Sequence, residues 1–125
     1  MTPGARVQAA VEVLDQVLDG AAAEQALTGW ARRARYAGSK DRAAVRDHVF
    51  QALRCKRSYA ALGGAETGRG LMLGLVRALG DSPENVFNGE GYAPAPLNVD
   101  EQAAGDAPTG PALHDLPDWL WPRFE

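Results

Sequence analysis

The chain has 125 residues, of which 46% are hydrophobic, and its 13 Lys and Arg against 16 Asp and Glu give a net charge of −3. A chain of this length forms one domain with a real core, and its acidic balance excludes a protein that coats nucleic acid indiscriminately. No stretch approaches the ~20 apolar residues of a membrane span, no apolar signal core follows the N-terminus, and Cys55 alone permits no internal disulfide. These features predict a cytoplasmic protein with no membrane partner.

Apolar residues at helical spacing predict three helices before residue 57. The first begins after the N-cap Thr2, with Pro3 at its first position, and ends at Gly20. The second spans 21–35, and the third runs from Lys40 to about residue 56 with Ser39 as its cap. The predicted buried positions are Val7, Ala10, Val11, Leu14, Val17, Leu18, Ala26, Leu27, Trp30, Ala34, Val45, Val49, Ala52 and Leu53.

Further short helices are predicted beyond residue 57. Residues 59–62 extend the third helix or form another turn that stops at Gly63 and Gly64, and a fourth helix spans 67–79. Gly80 suits a left-handed C-terminal position, a turn follows at 82–84, and a capped short helix is expected near 98–104. The predicted inward positions of the fourth helix are Leu71, Met72, Leu75, Val76 and Leu79. No segment has the alternation of a strand.

Two glycine patterns near residue 70 imitate nucleotide-binding motifs. Gly68, Gly70 and Gly74 come close to a dinucleotide fingerprint, but no strand precedes them and the last glycine is one position late. Gly63 and Gly68 have the spacing of a phosphate loop, but Arg69 follows where that loop requires lysine. Both matches are rejected, and these glycines are expected to form a flexible turn before the fourth helix.

The sequence contains no constellation for catalysis or metal binding. Cys55 has no neighbouring base, because His48 is two helical turns away, so a structural cysteine is expected. His48 and His114 are too few and too scattered for a metal site, and His48 is expected beside the packed face of the third helix. We therefore predict no catalytic residue, no metal and no cofactor in this chain.

The basic residues are concentrated in one segment, residues 32–57. It holds nine of the thirteen bases and two of the sixteen acids, so it carries +7 while the remainder carries −10. A cluster of this kind can bind phosphate locally whatever the net charge of the chain, which predicts RNA binding. The candidate RNA-binding residues, which include one from the first helix, are Arg6, Arg32, Arg33, Arg35, Lys40, Arg42, Arg46, Lys56 and Arg57.

A structural interpretation covers part of this cluster. Arg54, Lys56 and Arg57 stand at a predicted helix C-terminus, where cations oppose the helix dipole favourably by ~0.3–1 kcal/mol each. Arg42 and Arg46 share an angular stripe with the predicted core residues Val49 and Leu53, so one of the two is expected to be partly buried and paired. Neither argument explains the bases at 32–40, where the chain crosses between helices.

The segment Ser39–Arg54, together with Arg6-Val7-Gln8-Ala9-Ala10, resembles the NusB-like helical domain. It is more closely similar to the N-terminal domain of the Sun/Fmu (RsmB)-type ribosomal RNA cytosine-5 methyltransferases. Leu116-Pro117-Asp118-Trp119-Leu120 is similar to the opening of the next region in those enzymes. The resemblance implies an all-α, compact NusB-like bundle of about five helices at 1–104, followed at 105–125 by a linker and the start of the methyltransferase region.

The same resemblance implies that this domain binds ribosomal RNA and delivers a partner, the downstream methyltransferase domain, to a cytosine. S-adenosylmethionine and the catalytic cysteines would belong to that other domain, so no catalytic residue is carried over to this chain. Three alternatives stay open. They are a NusB-type transcription antitermination factor, a helical protein-interaction module using Met72, Leu73 and Leu75 as its apolar face, and a small independent enzyme.

Overall fold

The computed structural model describes residues 1–103, which form six α-helices, one 3-10 helix and no strand. The all-α prediction is therefore confirmed for the described residues, while the predicted 105–125 region lies outside them. The α-helices are α1 (Pro3–Leu18), α2 (Ala23–Arg33), α3 (Ser39–Arg54), α4 (Lys56–Gly63), α5 (Gly68–Ala78) and α6 (Val99–Ala103), and the 3-10 helix is Pro83–Asn85.

Helix α1 is the central element of the fold. It packs against α2, α3 and α5, and its apolar residues are buried over more than one face, as expected of a helix surrounded by others. Its start follows from sequence: Thr2 lies in extended conformation, and its Oγ1 accepts a hydrogen bond from the Ala5 N–H at 3.1 Å. The buried residues of α1 are Gly4, Ala5, Val7, Ala9, Ala10, Val11, Val13 and Leu14.

Helices α2 and α3 lie close to their predicted positions, with two corrections at their ends. Helix α2 is shorter than predicted at both ends. Ser39 is not a cap but the first residue of α3, and the preceding Gly38 N–H donates to the Asp41 carboxylate at 3.0 Å. Asp41, in the first turn of α3, therefore satisfies the backbone N–H of Gly38, which the predicted serine cap would leave without an acceptor.

The predicted third helix is divided at Cys55, whose φ of −114° and ψ of 35° interrupt the regular helix. This division places Lys56 and Arg57 in the first turn of α4 rather than at the C-terminus of α3. Their predicted favourable interaction with a helix C-terminus is therefore wrong, and only Arg54 occupies that position. Cys55 itself is buried in the core, 5% exposed, in agreement with a structural cysteine.

The α4–α5 hairpin corrects the interpretation of the glycines. Gly68, Gly70 and Gly74 are buried within α5 rather than forming a flexible turn before it. A Cβ atom at Gly74 would collide with the Tyr59 carbonyl oxygen of α4, and one at Gly63 would collide with the Gly70 carbonyl oxygen. The glycines are needed because the backbones of the two helices approach closely.

The start of α5 is fixed by two caps. The Thr67 hydroxyl accepts from the Gly70 N–H at 3.0 Å, and the Asp15 carboxylate of α1 accepts from the Gly68 N–H at 2.8 Å. Leu71, Met72, Leu75 and Val76 are buried as predicted. Gly80 ends this region in a left-handed conformation, φ 79°, also as predicted. Leu79 is 65% exposed, so its predicted burial is wrong, because α5 ends one residue before it.

Arg69 of α5 fastens the last described segment onto the bundle. Its guanidinium bonds both carboxylate oxygens of Glu101 in α6, at 2.6 and 2.9 Å, and the carbonyl oxygens of Ala95 and Pro96. It also lies over the Phe87 ring, 5.1 Å from its centroid. These bonds hold the pKa of Glu101 below its usual range. The predicted capped helix at this place is confirmed, since residue 98 and Glu101 exchange two capping bonds.

Candidate nucleic-acid interface

Four of the predicted RNA-binding residues lie together where α2 turns into α3. Arg32 and Arg33 end α2, Arg35 follows in the loop, and Lys40 is in the first turn of α3. All four are exposed, and none forms an ion pair with another described residue. We call these four residues the basic corner. Their positive charge is unneutralised within the described part of the chain and is available to an anionic partner.

The backbone beneath the basic corner is held by neighbours on both sides. Ala34 and Ala37 are 3% and 2% exposed, so the loop is anchored in the core at two points. The Arg42 guanidinium folds back onto the loop and donates to the Ala37 carbonyl oxygen at 3.2 and 3.3 Å. Arg42 is exposed, and its guanidinium keeps further N–H donors for a ligand.

Arg6 is engaged within the protein. Its guanidinium bonds the buried Asp41 carboxylate at 2.8 and 2.9 Å, and the Met1 amino group lies 3.7 Å from the same carboxylate. The pKa of Asp41 is lowered, first by the hydrogen bond from the Gly38 N–H and then by the Arg6 guanidinium. Arg6 therefore connects α1 to the start of α3, next to Lys40 of the basic corner.

Arg46 also has an internal partner. Its guanidinium forms a two-pronged contact with the Glu24 carboxylate of α2, one bond of which is 2.7 Å, and lies 4.9 Å from the centroid of the Phe50 ring. The contact lowers the pKa of Glu24 through the Arg46 hydrogen bond and raises that of Arg46. The prediction that one of Arg42 and Arg46 is paired is thus confirmed for Arg46. The predicted partial burial is not, because the Arg46 side chain is 51% exposed and Arg42 is exposed too.

The remaining candidates lie at the opposite end of α3. This helix has 16 residues, so it separates Lys40 from Lys56 by about 24 Å. Lys56 begins α4 and forms an ion pair with Glu66 at 2.9 Å, and Arg57 is the next residue of that helix. The single basic segment of the sequence is consequently divided in space. The four residues of the basic corner form no ion pair within the described residues, whereas Lys56 at the other end of α3 does.

Two tyrosines, neither of them among the predicted RNA-binding residues, extend the basic corner. Tyr36, in the loop after Arg35, stacks on Tyr92 of the segment before α6, with ring centroids 5.5 Å apart and planes 8° from parallel. The two residues are 59% and 71% exposed, respectively. An aromatic residue inside a basic segment is a recognisable signal for nucleic-acid binding, and Tyr36 carries that signal in the sequence. Nothing in the sequence connects Tyr36 with Tyr92, 56 positions later.

The structure also bears on the rival functions. The apolar face predicted for a protein-interaction module is unavailable, because Met72, Leu73 and Leu75 are at most 2% exposed.

Residues 1–103 contain no group of three His, Cys, Asp or Glu able to hold a metal ion. None of the helices described has the length and apolarity needed to cross a membrane. His48 is half-buried as expected, and burial, with Arg6 nearby, lowers its pKa.

Comparisons of the chain with protein-family models, with curated proteins and with solved structures find no significant match.

Proposed function

We propose that this chain is an RNA-binding helical domain, and that the basic corner is its phosphate-binding surface. The observation that carries the proposal is the contrast among the basic residues. Arg6, Arg46 and Lys56 each pair with an acid of the protein, whereas the four residues of the corner pair with none in the described region. Cations that are exposed, adjacent and unneutralised attract a polyanion, and phosphate contacts dominate the affinity of proteins for nucleic acids.

The corner has features of a binding surface in addition to charge. Its loop is pinned by two buried alanines and by the Arg42 bonds to Ala37, so its cations need little backbone ordering when a ligand binds. Exposed cations that contribute little to folding also fit a role in binding. Arg42, with its remaining donors, stands beside the corner as a fifth contact residue.

The finer proposal is that the domain is NusB-like and serves a ribosomal RNA cytosine-5 methyltransferase of the Sun/Fmu type. It is supported by the motifs in α1 and α3 and is compatible with an all-α fold. In this proposal the domain holds ribosomal RNA while a methyltransferase domain outside this chain supplies S-adenosylmethionine and the reacting cysteines. In this proposal the described domain binds RNA and takes no part in the methyl transfer itself.

Salt dependence of RNA binding tests the proposal. A fluorescently labelled RNA hairpin with an unpaired loop should bind with a Kd of ~10⁻⁴–10⁻⁶ M, and the affinity should fall between about 50 and 200 mM salt. The four residues of the basic corner alone, with one phosphate contact each, predict a log–log slope of roughly −3 to −4. Replacing Arg32, Arg33, Arg35 and Lys40 by glutamine should remove most of that slope. A parent protein that does not bind the hairpin at low salt would refute the proposal.

A further inference from the structure

The stacked pair of Tyr36 and Tyr92 is the most unusual surface feature of the described residues. Large aromatic side chains commonly stabilise a fold by burying their surface. These two residues instead stack their rings on each other and remain more than half exposed. Two near-parallel rings cover one face of each other, and the high exposure of both residues fits outer faces that a ligand can reach. A flat ligand can therefore stack on an open face of either ring.

Both rings are held in place by the backbone around them. Tyr36 lies between Arg35 and the buried Ala37, whose carbonyl oxygen accepts the Arg42 bonds. Tyr92 belongs to a loop closed by two backbone bonds of 2.9 Å, and the adjacent Ala93 packs on Gly4, where an added Cβ would stand 2.6 Å from the Ala93 Cβ. The pair is thus a preformed surface supported by α1 and by the α2–α3 loop.

The charges around the pair are asymmetric. Arg35 is adjacent to Tyr36 in the chain, and the rest of the basic corner is on the same loop and its flanking helix turns. Glu90 lines the groove on the Tyr92 side, a groove of about 390 Å³ that also includes Tyr36 and Met1. An anion is therefore attracted on the Tyr36 side and repelled on the Tyr92 side. A ligand with a flat ring and an attached phosphate matches this arrangement when its phosphate faces Arg35.

We propose that the Tyr36–Tyr92 pair is a stacking platform for an unpaired nucleobase of RNA, with the backbone phosphates of the same strand on the basic corner. This inference rests on the proposed function and narrows it to single-stranded segments, loops or bulges. Bases inside a duplex are already stacked on their neighbours, whereas an unpaired base can turn outward onto an aromatic side chain. Stacking tolerates any base, so the platform selects unpaired RNA without selecting its sequence.

Three probes of equal length separate the contribution of the rings from that of the phosphates. They are a single-stranded oligouridine, the same strand with abasic sugars, and an RNA duplex. The variants are Tyr36→Ala, Tyr92→Ala and Tyr36→Phe in the full chain, and binding is followed by fluorescence anisotropy at low salt. Thermal unfolding of each variant checks that the fold is retained.

The platform predicts that the parent binds oligouridine more tightly than the abasic strand. Either alanine variant should bind oligouridine about tenfold more weakly and the abasic strand as well as the parent does. Tyr36→Phe keeps the ring, so it should stay within about twofold of the parent.

Several results would overturn the inference and leave RNA binding by the corner intact. These are alanine variants that bind oligouridine like the parent, alanine variants that lose affinity equally for oligouridine and the abasic strand, and a parent that prefers neither of these two strands. An equal loss of affinity for both strands would mean that the rings only maintain the shape of the corner. A parent without preference between the two strands would mean that the rings do not bind a nucleobase. A parent that binds none of the probes would instead overturn the proposed function itself.

Discussion

In the α4–α5 hairpin both arginines of α5 are bonded to the protein, whereas in the basic corner three arginines and a lysine have no acidic partner among the described residues. Arg69 bonds Glu101, and Arg77 donates to the carbonyl oxygens of Leu62 and Glu101. The hairpin also packs its two backbones through glycines, while the corner exposes long side chains. The difference shows that arginine is bonded within the protein in one region and has no acidic partner within the described residues in the other.

The largest expected effect comes from a glycine of the hairpin. Gly74→Ala places a Cβ against the Tyr59 carbonyl oxygen, which belongs to the backbone and cannot rotate away. We expect a loss of about 3 kcal/mol in the free energy of unfolding, because the helices must separate. Urea denaturation measures this loss.

The matched control is Gly29→Ala in α2, on the side of the basic corner. A Cβ there would meet only the end of the Arg33 side chain, at 3.3 Å, which can move. The gain of up to about 1 kcal/mol in helix propensity should make this variant neutral or more stable than the parent. Equal destabilisation by both alanines would contradict the close approach of α4 and α5.

An arginine from each region gives the next contrast. Arg69→Gln removes the bonds to Glu101 and to the carbonyl oxygens of residues 95 and 96, and leaves a largely buried carboxylate without its cation. We expect a loss of about 1–3 kcal/mol and faster amide exchange in α6. Arg33→Gln breaks no ion pair within the described structure, and its stability should stay within about 0.5 kcal/mol of the parent. Similar losses in the two variants would remove the distinction between the regions.

Acid should weaken the link beneath the basic corner. The pKa of Asp41 is lowered in the folded protein by Gly38 and Arg6, so near that pKa the unfolded chain binds more protons than the folded one. Its stabilisation is present above the unfolded pKa of about 3.9 and is lost as the pH falls through the lower, folded value. As the pH is lowered from about 5 to 2, the melting temperature should therefore decline less for Asp41→Asn than for the parent. Glu12→Gln, at an exposed position of α1, is the control and should follow the parent.

Much of the helical architecture could be predicted from the sequence because it depends on local chemistry. The Thr2 cap, the Gly80 terminus and the apolar spacing of α1 act within a few residues of one another. The glycines of α5 were misinterpreted because glycine disfavours a helix locally, while their role depends on a second helix. Their spacing, with Gly70 and Gly74 one turn apart on α5, was the available signal of a close approach.

The division of the basic residues could not be predicted, because each internal partner is distant in the chain. Arg46 and Glu24 are 22 positions apart, and Arg6 and Asp41 are 35 apart. Charge counting locates the segment but does not pair its members, since pairing is a property of the packed helices. The same limit explains the missed partner of Tyr36, which comes from a loop that lies between α5 and α6.

Two double variants with the same change in net charge test whether RNA binds only those cationic side chains that have no acidic partner in the described structure. The first, Arg33→Gln with Arg35→Gln, neutralises two residues of the basic corner; the second, Arg46→Gln with Lys56→Gln, neutralises two bases already paired with Glu24 and Glu66. Titrating the labelled RNA hairpin at several salt concentrations should show the log–log slope falling by roughly 1.4–1.8 in the first variant. The second variant should retain the slope of the parent. Equal changes in both variants would show that RNA responds to total charge, and would contradict a specific role for the basic corner.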